Sequence, residues 1–166
     1  MLNKNDLLDV MLHECDICIH LYGKLPEGSL DYRPTPQQRS TLELLRYLSF
    51  CGIGGTRYMV ENNYERFTEA AERAKAMPAD EFPAAMERQK KEIRDVIENL
   101  SDDDFANKQV KMPPDQTVKL GRALLEAPLS WLTAYRMQLF LYAKAAGNHE
   151  IGTANCWAGI DWKKPS

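Results

Sequence analysis

The sequence predicts an all-α protein, a four-helix bundle with crossover connections. Two observations carry this prediction. Four segments repeat apolar residues at helical spacing, and the links between them are long, polar and rich in proline, with alternation of strand type only around Val110 and Met112. A chain of 166 residues with 44% hydrophobic and 27% charged residues suits one domain with a real core.

The first helix is expected over residues 5–23, where Leu7, Met11, Cys15, Cys18 and Tyr22 share one face and Asp9, His13, Asp16 and His20 the other; Gly23 ends it. Residues 24–39 hold Pro26, Pro34 and Pro36 and read as an extended connection. Ser40-Thr-Leu-Glu43 is a capping box, so a second helix starts there and runs to about Glu61, its glycines at 54 and 55 suggesting close approach of a neighbour. Residues 62–80 are polar, with a short helix over Thr68–Met77. A third helix spans 82–100 on Met86, Ile93, Val96 or Ile97, and Leu100.

Residues 101–116 then form a connection in which Asp102, Asp103 and Asp104 read as solvated loop. The fourth helix is expected from about Thr117 to Gly147, with a kink at Pro128, where one backbone hydrogen bond is lost. The tail from Asn148 is rich in aromatics, with Trp157 and Trp162 beside Cys156, and is expected to pack back on the bundle.

Composition narrows the function. A net charge of −3 and a pI near 5.7 give no general attraction to phosphates, so nucleic acid is not an expected partner. No apolar run reaches the length of a membrane span, and Asp6 and Asp9 interrupt what would be a leader, so neither membrane association nor export is expected. The chain reads as cytoplasmic, with four reduced cysteines.

Two motifs look like chemistry and read better as structure. His13, Cys15, Cys18 and His20 offer four metal-binding side chains, but a step of about 100° per residue puts the cysteines on the apolar face and the histidines roughly opposite. Asp9 and Asp16, each four residues before a histidine, are its expected neighbours. Cys51-Gly-Ile-Gly-Gly-Thr56 lacks a preceding strand and sits mid-helix, which fits helix packing rather than a phosphate loop.

The stronger signal lies on the last helix. Trp131, Tyr135, Gln138 and Tyr142 recur at i, i+4, i+7 and i+11 and fall within roughly 60° of one another. An indole N–H, two phenols and a carboxamide on one stripe all want hydrogen-bond partners, as in the wall of a pocket. The same stripe would also suit aromatics that fill a bundle and reach water at their tips.

Tyr32-Arg-Pro-Thr-Pro36, Ser40-Thr-Leu-Glu-Leu-Leu-Arg-Tyr-Leu48 and the run from Tyr135 to Gly147, in this order and spacing, resemble the DinB/YfiT-like superfamily of four-helix bundles, which includes metal-dependent enzymes. The resemblance implies a metal held by one histidine from the second helix, at a position similar to Tyr47, and two from the last helix, aligned with Trp131 and Tyr135 ahead of Arg136 and Gln138. All three ligand positions depart from the pattern. Indole offers no lone pair, and a phenol with pKa near 10 coordinates weakly at neutral pH.

The expected function is therefore that of a metal-free member with no cofactor, whose former metal cleft is a polar-aromatic pocket for a small molecule. Tyr47, Trp131, Tyr135, Gln138 and Tyr142 would line it, with Tyr47 or Tyr135 as hydrogen-bond donor or acid and Arg136 turned inward to hold an anionic group. Two alternatives stand beside it: a metal-dependent hydrolase or thiol transferase with a site rebuilt from His149, Cys156 or a first-helix histidine, and a homo-oligomeric structural or regulatory module. Relatives imply a homodimer.

Overall fold

Asn3 caps the first helix with both halves of a capping box: its side chain accepts from the Asp6 N–H, and the Asp6 carboxylate accepts from the Asn3 N–H. From there the computed structural model describes residues 3–162. Its main elements are α1 (Lys4–Tyr22), α2 (Thr41–Glu61), α3 (Glu65–Ala74), α4 (Phe82–Glu98), α5 (Asp102–Asn107), β1 (Gln109–Met112), β2 (Gln116–Lys119), α6 (Leu120–Leu124), a π-type turn (Leu125–Leu129), α7 (Ser130–Ala145) and α8 (Thr153–Trp157). No helix among the described residues is long and apolar enough to cross a membrane.

The bundle consists of α1, α2, α4 and the α6–α7 rod. Helix α1 packs on α4 and α7, and α2 packs on the same two, which places α1 and α2 on a diagonal. The consecutive helices α1 and α2 are therefore not neighbours, and residues 24–39 must cross the end of the bundle, as the proline-rich composition of that link anticipates. Its path is pinned where the Thr41 N–H donates to the Tyr32 carbonyl at 2.9 Å. The α2 capping box forms in full, with the Ser40 N–H donating to Glu43 at 2.6 Å and the Glu43 N–H to the Ser40 hydroxyl at 3.2 Å.

Glycines on α2 let its neighbours in. A Cβ at residue 54 would lie 3.2 Å from both Ala70 and Phe67 of α3, and one at residue 52 would lie 3.1 Å from the buried Gln89 of α4. Gln89 uses that space to stitch two helices together: its amide donates to the Leu48 carbonyl at 2.9 Å and its oxygen accepts from the Ile53 N–H at 3.1 Å. Gln89→Ala removes both bonds inside the core and is expected to lower stability by about 2–3 kcal/mol, read from the urea midpoint at unchanged slope.

The structure departs from the expected elements at several points. The short helix after α2 is Glu65–Ala74, three residues earlier than the expected Thr68–Met77. The acidic triplet is not loop: Ser101 accepts from the Asp104 N–H, and the three aspartates occupy the first turn of α5, where negative charge meets the positive end of the helix dipole. The fourth rod does not start at Thr117, because residues 116–119 pair with 109–112 as an antiparallel hairpin, Val110 opposite Val118. At Pro128 the chain takes the π-type turn, which accommodates the missing N–H within a rod that continues on both sides.

The tail packs back on the bundle, though not through its tryptophans. It folds back through Ile151, Asn155 and Cys156, all buried, but Trp157 and Trp162 point to solvent, and 163–166 lie outside the described residues. His20 is not partnered by Asp16, which pairs with Lys90; it meets the tail instead, 3.0 Å from the Asn155 amide. All four cysteines are free and buried. Burial holds Cys15 and Cys18 above the usual thiol range and pushes Cys51 up to about 12, so these thiols stay protonated at neutral pH.

Candidate functional site

Tyr47 and Tyr135 come together. Tyr47 sits on the second turn of α2 and Tyr135 on the second turn of α7, and their ring centroids are 4.5 Å apart. Phe50 meets Tyr47 at 5.2 Å, Phe67 of α3 meets Phe50 at 5.3 Å, and Trp131 meets Phe67 at 5.4 Å, so the three expected residues belong to one continuous aromatic array. Trp131 lies flat where α2 lacks a side chain, since a Cβ at residue 55 would fall 2.8 Å from its ring. Pro128 reaches the same spot, 3.1 Å from that Cβ position, so the π-type turn and Gly55 together set the distance between α2 and α7.

Gln138 and Tyr142 extend the stripe but face the crossover link. The Gln138 amide donates to the Tyr142 hydroxyl at 2.7 Å, and that hydroxyl donates to the Arg39 carbonyl at 2.9 Å, while the buried Tyr142 ring meets Tyr32 edge-on. Their polar groups are used in holding residues 32–39 against α7. Arg136 does not turn toward the stripe. It is one residue past Tyr135, hence about 100° away around the helix. Its guanidinium runs to the opposite side, donating to Glu14 of α1 at 2.5 Å and to the Cys156 carbonyl.

The cation at the stripe is Arg39, which the sequence reading missed. Its guanidinium lies 4.3 Å from the Tyr47 ring centroid and 5.4 Å from that of Tyr135. Its place was legible in part, because Arg39 directly precedes the capping box and is therefore held at the start of α2, two turns from Tyr47. Below it opens a cleft of about 380 Å³ lined by Arg39, Glu43, Arg46, Tyr47 and Phe50 on one side and by α3 on the other. Glu43 is committed: the Ser40 N–H bond, with Arg33 at 3.3 Å, holds its carboxyl below the usual range. Arg46 donates to the Met77 carbonyl at 2.9 Å.

Burial pushes the Tyr47 phenol well above its ordinary pKa, with Cys51 and Tyr135 adding to the effect and Arg39 opposing it. At neutral pH Tyr47 is a neutral hydrogen-bond donor. A second cleft, of about 390 Å³, lies between α2, α3 and α4 away from the stripe; at its edge Glu92 faces Arg57 at 3.0 Å and Arg73 at 3.6 Å.

No protein-family model matches the sequence, and no curated protein matches it. Its structure, however, is similar to the crystal structure of the DinB-like protein YjoA from Bacillus subtilis, with a TM-score of 0.67 over 85% of this chain and 92% of that one at 16% identity. The fold is DinB-like. Within this DinB-like frame, the three positions that the sequence resemblance aligns with metal-ligating histidines are Tyr47, Trp131 and Tyr135. These side chains do not fit a metal: indole has no free lone pair, and burial keeps the Tyr47 phenol protonated. The other candidate donors are scattered. His13 and His149 are exposed on different elements, Cys156 is buried against Arg136, and no three His, Cys, Asp or Glu side chains among the described residues gather as a metal site.

Proposed function

We propose that this DinB-like protein binds a small molecule carrying an anionic group in the cleft beside Tyr47, without a metal ion. The observation that supports it best is Arg39: a guanidinium stacked over two phenol rings at the mouth of a cleft, with no ion pair within 4 Å among the described residues, while the nearby Glu43 carboxylate pairs with Arg33. Arg39 would orient a carboxylate or phosphate through its planar fork, the Tyr47 hydroxyl would donate to a second polar atom, and the aromatic array would form the floor. Trp131 and Tyr135 do not line the cleft and would act from behind it, Tyr135 against the Tyr47 ring and Trp131 against Phe67. Gln138 and Tyr142 act one step away, fixing the Arg39 backbone through the Tyr142 hydroxyl.

The test has two arms. Untagged protein should contain no stoichiometric metal, and zinc, nickel or manganese should leave its thermal midpoint unchanged; a bound metal that raises the midpoint would move the reading to a rebuilt metalloenzyme. Benzoate and phenyl phosphate then serve as probes. A probe that raises the wild-type midpoint should bind at least roughly tenfold more weakly to Arg39→Ala, since a hydrogen bond to a charged group contributes about 1.5–3 kcal/mol. Binding unaltered in both Arg39→Ala and Tyr135→Phe would remove the cleft from consideration.

A further inference from the structure

Helices α3 and α4 both pack on α2, yet they stand apart above it, bridged by Arg73 reaching Glu92 at 3.6 Å. The gap follows from the side chains that face it. Ala70 and Ala74 of α3 and Ala85 of α4 are buried at positions where a filled core would carry leucine or isoleucine, and the cleft of about 390 Å³ is the space they leave. Ser49, Ile53 and Met77 complete its base. Its volume lies at the lower end of the range for small-molecule sites.

The base offers no unengaged donor. The Gln89 amide donates to the Leu48 carbonyl and to the Met86 sulfur, and the Ser49 hydroxyl donates to the Arg46 carbonyl at 2.7 Å. The charges stand at the rim, and they are balanced: Arg73 and Arg88 against Glu81 and Glu92. A plain anion would meet two carboxylates there, and a plain cation two guanidiniums. Arg88 and Glu92 have capacity left. No carboxylate among the described residues comes within 4 Å of Arg88. The Oε2 of Glu92 is shut off from solvent, and although Arg57 comes to 3.0 Å, it lies out of line for a hydrogen bond, so that oxygen has no donor.

Arg88 and Glu92 are four residues apart on α4, hence one turn apart on the same face, with roughly 6 Å between their Cβ atoms. They do not pair with each other. A guanidinium and a carboxylate at that spacing, over an apolar slot, match a molecule whose own carboxylate and ammonium are neighbours and whose remaining body is small and apolar. We propose that this cleft binds a free α-amino acid with an aliphatic or thioether side chain. Its carboxylate lies on Arg88, its ammonium donates to the Glu92 Oε2, and its side chain fills the space between Ile53, Met77 and the alanines.

Isothermal titration calorimetry with L-leucine and L-methionine tests the site. At least one should bind the wild type. Its N-acetyl derivative, which lacks the ammonium, and its methyl ester, which lacks the carboxylate, should each bind at least roughly tenfold more weakly. Arg88→Ala, at an exposed position, should weaken the free amino acid to the same degree and leave the affinity of the methyl ester unchanged. Glu92→Gln should do likewise toward the N-acetyl form. Ala76→Phe, also at an exposed position on the cleft, should abolish binding with an unchanged circular dichroism spectrum. Failure of both amino acids to bind at millimolar concentration, or equal binding by wild type and Arg88→Ala, would overturn the proposal. Arg39→Ala should leave binding intact. Leucine binding lost in Arg39→Ala and kept in Arg88→Ala would overturn this site while leaving the cleft beside Tyr47 as the ligand site.

Discussion

Replacing Arg136 with alanine should lower stability by about 3–5 kcal/mol, because it leaves a carboxylate in the core without a partner. Arg136 and Glu14 are only 5% and 8% exposed, and their contact at 2.5 Å joins α7 to α1. The same guanidinium donates to the Cys156 carbonyl, so the tail helix is held through it as well. In a chain of this size the loss corresponds to a drop in thermal midpoint of roughly 10 °C. Amide exchange should accelerate across residues 151–161 before the bundle opens, since those residues depend on Arg136 and on the Asn155–His20–Asp161 contacts for their docking. Glu14→Ala should cost a similar amount, and the double variant far less than the sum, because the second removal relieves the charge that the first one stranded. A midpoint within a degree of wild type for Arg136→Ala would mean that water reaches Glu14 and that the pair holds nothing together.

What could be read in advance follows from how local each signal was. The capping box at Ser40 and Glu43 is four residues long and formed as written, and the need for space at Gly54 and Gly55 is a property of those residues themselves. Half of the hairpin was visible, in the alternation at Val110 and Met112; its partner strand was hidden because it is four residues with one buried position, Val118, which also fits the helical spacing of the rod that follows. Helix α5 was legible in principle: a serine followed by three aspartates is an N-terminal signature, and its acidity drew attention away from its position.

The site divides in the same way. Tyr135 and Trp131 are one turn apart on a single helix, so their shared face follows from sequence, and Tyr47 entered through the family resemblance. Arg39 and Phe67 come from the crossover link and from α3, and only the tertiary fold brings them over the stripe. The misassignment of Arg136 was avoidable, since a helical step of about 100° already separates it from Tyr135.

The contact between Gly55 and Trp131 makes the second large prediction, and it reverses sign with context. In an ordinary helix interior, Gly→Ala stabilises by about 1 kcal/mol through backbone entropy and propensity. At residue 55 the added Cβ would sit 2.8 Å from Cζ3 of Trp131 and 3.1 Å from Pro128, and neither a rigid indole nor a proline ring can bend away. Gly55→Ala should therefore be net destabilising, by about 1–3 kcal/mol, with a shift in tryptophan fluorescence as Trp131 is pushed from Phe67. Trp131→Ala should cost about 3–5 kcal/mol on its own, and the space it vacates is aromatic-lined, so added indole should recover part of the thermal midpoint. In the Trp131→Ala background the same Gly55→Ala change meets no indole and should become neutral or stabilising. Additive effects in this cycle would show that Gly55 does not set the spacing of α2 and α7. A sign reversal would establish that the interhelical distance at the candidate site is held by a missing side chain on one helix and an oversized one on the other.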